Sequence, residues 1–184
     1  MNLPPRAPSQ VRIGIAIAVP EPFASVLQAA RADLGDPLAH AIPPHVTVIG
    51  PTVVDHSVLP AVAEHLEKVA SETAPFRIHL RGTGTFRPIS PVVFVALAEG
   101  IAECEMLEAS ARSGILAQDL RFNYHPHVTV AHEVPDAELD RALTELAGFE
   151  GTFEVDRLWQ YEHGDDGVWR PQHSFPLAGA RPAP

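Results

Sequence analysis

The sequence contains one cysteine, Cys104, and no long run of apolar residues. A single cysteine excludes an intramolecular disulfide and a cysteine-based zinc site, and we expect a buried structural thiol. The apolar segment at residues 13–19 is far shorter than the roughly 20 residues that a membrane helix needs. Residues 1–10 lack the basic and apolar regions of a signal peptide. These absences predict a cytoplasmic protein with no membrane contact.

Basic residues are also scarce: Lys and Arg number 13 against 23 Asp and Glu, so the net charge at pH 7 is −10. A protein that grips a long nucleic acid normally presents a basic surface, because neutralising phosphates supplies most of its affinity. The composition therefore argues against a long nucleic acid as partner. It leaves open a local basic cleft for one or two phosphates, and we expect a monomer.

The same order of predicted strands and helices occurs twice along the chain. Each half predicts a β-branched strand, an amphipathic helix, a second strand, a second helix and a third strand. These elements fall at residues 11–19, 23–34, 45–49, 55–69 and 76–80, and again at residues 92–97, 101–111, 127–130, 135–146 and 153–158. Turns at residues 50–51 and 81–84 are expected to end strands of the first half, and a hairpin turning at residues 163–167 is expected in the tail.

This repetition predicts an α+β or mixed α/β fold in which two lobes are related by an approximate twofold axis. We expect a single domain over residues 1–184, with one lobe at residues 11–90 and the other at residues 91–177. Each lobe is expected to carry an antiparallel or mixed sheet flanked by helices, with a central cleft between the lobes. Residues 1–9 and 179–184, rich in proline and alanine, are expected to be flexible.

The tetrapeptide His-Val-Thr-Val occurs at residues 45–48 and again at residues 127–130, at equivalent places in the two halves. Side chains alternate across a strand, so the histidine and threonine of each copy share one face, and the valines anchor the strand from behind. If the twofold axis brings the two strands together, two imidazoles and two hydroxyls face one cleft.

That set of groups suits phosphoryl chemistry without a metal. Histidine can act as base or acid near neutral pH, so His45 and His127 on opposite sides of a phosphorus can activate water and protonate a leaving oxygen. The hydroxyls of Thr47 and Thr129 can donate hydrogen bonds to the non-bridging oxygens. The sequence does not decide which histidine is the base. A single such strand would most often be structural, but two copies in halves that otherwise diverge favour a shared site.

The paired motifs resemble those of the 2H phosphoesterase superfamily, and within it the bacterial 2′-5′ RNA ligase-like proteins, which are similar to RNA 2′,3′-cyclic phosphodiesterases. The resemblance covers residues 11–175. It implies that His45 and His127 are catalytic, that Thr47 and Thr129 bind phosphate, and that no cofactor or metal is used. It also implies hydrolysis of a 2′,3′-cyclic phosphate to a 2′-phosphate, with reversible 2′-5′ ligation reported for the class.

One position departs from the best-known members of that superfamily. They often carry a basic residue shortly after the second motif, where this chain has Ala131 and His132. His132 is only fractionally charged at pH 7, so phosphate affinity is expected to be weaker or pH-dependent. Together with the acidic net charge, this favours a small cyclic nucleotide or a short RNA end over bulk RNA as the partner.

Further candidates for substrate binding are aromatic residues that can stack on a base and basic residues that can contact a phosphate. They are Phe86, Tyr124 and Tyr161, and Arg87, Arg121 and His132. Ordinary packing or a solvated charge is the alternative at each. Two rival functions stay open: a nucleotide-binding module without turnover, and a metal-dependent hydrolase using His125, His127 and His132. Product formation separates the first from an enzyme, and undiminished activity in a chelator excludes the second.

Overall fold

The computed structural model describes residues 3–180, which form eight strands and four α-helices. The strands are β1 (Gln10–Ala18), β2 (His45–Asp55), β3 (Phe76–Thr85), β4 (Val92–Glu99), β5 (His127–His132), β6 (Glu150–Val155), β7 (Arg157–His163) and β8 (Trp169–Pro176). The helices are α1 (Phe23–Asp33), α2 (Leu59–Glu72), α3 (Ile101–Ala111) and α4 (Asp136–Glu145), with 3₁₀ turns at His56–Val58 and Gly114–Leu116.

Local sequence signals account for the helix ends. α1 ends just before Gly35, whose φ of 74° lies in the left-handed region that glycine adopts without strain. Pro60 stands in the first turn of α2, and Pro135 directly precedes α4, where a missing N–H costs no helical hydrogen bond. None of the helices within residues 3–180 is both long and apolar enough to cross a membrane.

The eight strands form one antiparallel sheet in the order β6-β3-β4-β5-β2-β1-β7-β8. The mixed α/β class predicted from the sequence is confirmed, but the two expected sheets are continuous. They meet where β2 pairs with β5 through Val46 and Val128. Each motif strand is the inner edge of its half-sheet, so the join leaves neither edge open.

The strands are divided between the halves differently from the expected residues 11–90 and 91–177. One half-sheet contains β1, β2, β7 and β8, and the other contains β3, β4, β5 and β6. β3 therefore belongs with the second half of the chain, because it pairs with β4, the next strand along, as a hairpin. β7 pairs with β1 and returns the tail to the first half. Two helices also pack on the half-sheet of the other half of the chain: α1 packs against β5, and α3 packs against β2.

Two strands run through residues that were expected to end them. β2 continues past Gly50 and Pro51, and β3 continues past Gly82. In both places the pairing with the neighbouring strand shifts register. A bulge accommodates a glycine or a proline that regular pairing would disfavour, so these residues bend the strands without ending them.

The tail forms the predicted hairpin from β7 and β8, closed where the Gly164 N–H donates to the Val168 carbonyl. The strand predicted at residues 153–158 is interrupted at Asp156 and is divided between β6 and β7. Near the ends, the Gly179 N–H donates to the Thr73 carbonyl. Residues 1, 2 and 181–184, which were expected to be flexible, lie outside the described residues.

Candidate active site

The two motif strands lie side by side at the centre of the sheet. Val46 and Val128 pair across the join, so positions 45 and 129 face each other across the strands, as do positions 47 and 127. Both valines are fully buried in the core. The histidine and threonine of each motif therefore lie on the opposite face, where all four are partly exposed. The structure brings the four motif side chains to one place.

Both motif strands carry a β-bulge at equivalent positions. The extra residue is Val48 in β2 and Val130 in β5, and the two strands share one pattern of buried and half-buried residues over their first six positions. A bulge shifts the alternation by one residue, so Gly50 and His132 lie on the same face as the motif side chains. Regular alternation would place His132 on the other face, and the bulge brings it to the cleft.

Each motif histidine is held by the backbone two residues before it. Nδ1 of His45 lies 2.7 Å from the Pro43 carbonyl oxygen, and Nδ1 of His127 lies 2.7 Å from the His125 carbonyl oxygen. A carbonyl oxygen can only accept, so both rings carry their proton on Nδ1. Nε2 is then the unprotonated nitrogen of each neutral ring, available to take a proton from water.

Burial favours the neutral form of both motif histidines. It lowers the pKa of His45 to about 4, against the hydrogen bond to the Pro43 carbonyl, and the positive charges of Arg31 and His127 act in the same direction as burial. Burial also lowers the pKa of His127, with the charge of His125 adding to the effect. Both imidazoles are therefore poised as bases in the free protein at neutral pH.

The lowered pKa of His45 predicts acid-sensitive stability. Below pH 6.5 the unfolded chain protonates this residue, whereas the folded protein keeps it neutral down to about pH 4. The unfolded state binds more protons in that window, so the free energy of unfolding falls by up to about 3 kcal/mol as the pH falls through it. Urea denaturation at pH 7 and pH 4.5 measures the loss, which should be smaller in His45→Gln than in the wild type. Equal losses would contradict the prediction.

The two histidines have different apolar surroundings. His127 packs edge-on against Phe86, with ring centroids 4.9 Å apart, and lies 5.2 Å from the ring of Phe94. His45 and its threonine line a pocket with Tyr161 and Trp169, whose other walls are Gly14, Ile15, Ala16, Ile42, Ile49, Gly50 and Pro51. Phe86 and Tyr161, both sequence candidates, therefore border the site on opposite sides.

A family model described as the 2′-5′ RNA ligase superfamily matches residues 19–167. The chain belongs to the 2′-5′ RNA ligase superfamily of 2H phosphoesterases. Proteins named "Putative phosphoesterase" from Bacillus thuringiensis (strain Al Hakam) and Bacillus cereus (strain B4264) are each 28% identical to it over 144 residues, which is 77% of this chain and 83% of theirs. The resemblance inferred from the paired motifs is confirmed.

Solved structures share the fold of this superfamily member. Escherichia coli LigT complexed with NADP⁺ has a TM-score of 0.70 at 20% identity, covering 92% of this chain and 99% of that one. TT0787 of Thermus thermophilus has a TM-score of 0.58 at 24% identity, covering 92% and 100%. The overall fold is therefore common to these proteins.

The hydroxyls of the motif threonines of this superfamily member have no partner among residues 3–180. Among residues 3–180, five other threonines donate their hydroxyl to a backbone carbonyl, namely Thr52, Thr73, Thr83, Thr85 and Thr144. Thr47 and Thr129 make no side-chain hydrogen bond in that part of the chain. Their donors are therefore free for a ligand in the cleft.

Three of the other sequence candidates are engaged elsewhere. The Tyr124 hydroxyl donates to the Thr47 carbonyl at 2.9 Å, so this side chain ties the segment before β5 to β2. Arg87 pairs with Asp140 at 2.6 Å and with Asp136 at 3.6 Å on α4. The guanidinium of Arg121 stacks on the ring of its neighbour Phe122, 5.2 Å from the centroid. The structure therefore gives neither arginine a contact with the motif residues.

Within residues 3–180, no group of three or more His, Cys, Asp or Glu side chains comes together as a metal site would require. His125 and His127 stack, with ring centroids 6.2 Å apart. Cys104 is buried, and burial raises the pKa of its thiol to about 12, so it is held as a neutral core residue.

Sequence reasoning missed the residues that hold the histidines. Pro44 directly precedes His45, and Pro126 directly precedes His127, so the repeated unit is a pentapeptide. A residue before proline is restricted to extended conformations, which helps to aim the carbonyl that precedes each Pro-His pair. This signal was readable in the sequence. The buried ion pair of Arg31 and Asp36 left no such signal in the sequence, because the fold decides which charges pair.

Proposed function

We propose that this phosphoesterase hydrolyses a 2′,3′-cyclic phosphate to a 2′-phosphate without a metal ion. The observation that carries the proposal is the paired arrangement at the join of β2 and β5. Two imidazoles with bare Nε2 atoms and two unengaged threonine hydroxyls lie on one face, related by the twofold repeat. A base, an acid and donors for the non-bridging oxygens are what opening a cyclic phosphodiester requires.

In the proposed reaction one histidine takes a proton from water as its oxygen bonds to phosphorus. The bond between phosphorus and the 3′-oxygen breaks on the opposite side, and the second histidine, entering as imidazolium, gives that oxygen a proton. We assign the base to His45, because the charge of Arg31 acts against its protonation. We assign the acid to His127, because the charge acting against its protonation is that of a titratable neighbour, His125, and not that of an arginine. Burial keeps this ring neutral in the free protein, so the negative charge of the bound phosphate has to raise its pKa before it acts as the acid.

A small nucleotide or a short RNA end is the substrate class that we propose. The net charge of −10 opposes a long nucleic acid, and Arg87, the arginine nearest in sequence to Phe86, is neutralised by α4. Phe86, which borders His127 and is partly exposed, offers an aromatic ring on which a base can stack. The solved relatives include LigT complexed with 3′-AMP and with ATP. Ligation would be the same ring opening with a 5′-hydroxyl in place of water: the 5′-oxygen bonds to phosphorus, the bond to the 3′-oxygen breaks, and a 2′-5′ phosphodiester is formed.

The test is hydrolysis of the four 2′,3′-cyclic nucleotides in EDTA, with the product phosphate position read by NMR. We expect the cyclic nucleotides to be converted to 2′-phosphates at a rate that EDTA does not reduce. Loss of activity in EDTA would favour the metal-dependent alternative. A measurable dissociation constant without any product would instead favour a binding module of the same fold.

A further inference from the structure

A buried ion pair lies behind the cleft. Arg31, in the last turn of α1, has only 3% of its side chain exposed, and Asp36 has none. Nε and Nη2 of Arg31 both donate to Oδ2 of Asp36, at 3.1 and 3.0 Å. Taking two charges out of water is costly, and a well-packed apolar pair is often at least as stable. A contribution to stability therefore does not by itself explain why these two charges are buried.

The pair holds the segment that leads into the first motif. Oδ1 of Asp36 accepts the Leu38 N–H at 2.8 Å, and Nη1 of Arg31 lies 3.5 Å from the Ile42 carbonyl oxygen. The next carbonyl, that of Pro43, is the acceptor for Nδ1 of His45. The contacts therefore run from the ion pair through the loop at residues 36–44 to the imidazole.

The pair also bears on the charge of His45. The charged or titratable groups around this ring are Arg31 from α1, His127 from β5 and Tyr161 from β7, which lines the same pocket. The Arg31 cation opposes a positive charge on the ring. His127 is opposed instead by His125, a titratable neighbour, and its other close neighbours are the rings of Phe86 and Phe94. The ion pair is thus one source of the difference between the two histidines.

We propose that Arg31, locked by Asp36, is a positioning residue that fixes the loop at residues 36–44, holds His45 as its Nδ1–H tautomer and adds to the burial that disfavours a charge on that ring. The consequence for catalysis rests on the proposed function, with His45 as the base. The consequence for the imidazole itself does not, and it can be measured in the resting protein.

The test removes both charges at once, because removing one partner would strand the other in the core. In the double variant Arg31→Met with Asp36→Leu, folding is checked by circular dichroism and thermal unfolding. Nitrogen-15 NMR then reads the tautomer and the titration of His45. We expect a mixture of tautomers and titration at higher pH than in the wild type. A folded double variant with wild-type tautomer and titration would overturn the proposal.

Arg31→Lys decides the question if the double variant does not fold. Lysine keeps the charge but lacks the planar fork that binds Asp36 through two nitrogens. We expect the low titration point of His45 to survive while the single Nδ1–H tautomer is lost. A tautomer unchanged in this variant would contradict the positioning role.

The kinetic arm uses a 2′,3′-cyclic nucleotide. In the double variant we expect kcat to fall by about 10-fold or more with KM nearly unchanged, since a loosened base loses alignment and not substrate affinity. The acidic limb of the pH profile should move to higher pH. Arg77→Met with Glu99→Gln, which removes an exposed ion pair between β3 and β4, is the control and should change neither. If kcat and the acidic limb of the pH profile are unchanged in the double variant, the proposal is overturned. If the wild type itself shows no turnover, the proposed function is overturned, and the NMR measurement on His45 decides the positioning role.

Discussion

His45→Ala and His127→Ala should each lower the rate of cyclic-phosphate hydrolysis by at least about 100-fold. Each removes one of the two proton-transfer groups, and neither threonine can replace it near neutral pH. Because the two histidines act in one step, the double variant should be little slower than either single variant. Initial rates with the best nucleotide of the panel measure the effect.

The matched control is His79→Ala. His79 lies on β3, outside the motif strands. It is half-buried and pairs with Glu150 at 2.7 Å, so its loss should leave the rate unchanged. His45→Gln guards against unfolding, because it fills more of the vacated space than alanine does. A folded variant of either motif histidine that retains the wild-type rate would remove that residue from the mechanism.

The element order and the shared face of the motifs could be predicted because both depend on local patterns. β-branched runs, helical spacing and the proline and glycine signals identify the elements, and alternation along a strand places His45 with Thr47. The doubled motif then predicts a common site, since a twofold repeat brings equivalent strands together. None of these steps requires knowing which strand pairs with which.

The pairing itself depends on contacts between distant residues and could not be predicted in the same way. The sequence predicts β3 as part of the first lobe, but it forms a hairpin with β4. The bulges at Val48 and Val130 leave no local signature, so the position of His132 on the cleft face was found only in the structure. Charge type alone suggested Arg87 as a phosphate contact, whereas Asp140 holds it against α4.

The pair Arg31 and Asp36 shows a further limit of sequence reasoning. Five residues apart, they straddle the end of α1, where a charged residue is ordinarily solvated. The fold buries them, with α1 packed against β5 and the loop at residues 36–44 folded over the pair, and the cation then acts on His45. The twofold repeat therefore supplies two similar histidines, and contacts that are not repeated make them different.

Thr47→Val and Thr129→Val should each lower kcat by at least about 10-fold, the loss typical of removing one donor to a developing negative charge. Valine keeps the size and the branched shape of threonine and suits a strand, so the hydroxyl is the only group of consequence that is lost. Neither hydroxyl is used inside the described part of the protein, so its removal leaves no protein group unpaired. The effect should therefore fall on catalysis and leave the free energy of unfolding almost unchanged.

Two further variants make this expectation specific to the hydroxyl. Thr47→Ser and Thr129→Ser keep the donor and should retain most of the activity. Thr144→Val removes a hydroxyl that donates to the Asp140 carbonyl on α4, away from the motif strands, and should not affect kcat. If both valine variants keep the wild-type kcat, the threonines are structural and the phosphate must be held by other donors. His132, which the bulge at Val130 brings to the same face, is then the first residue to replace.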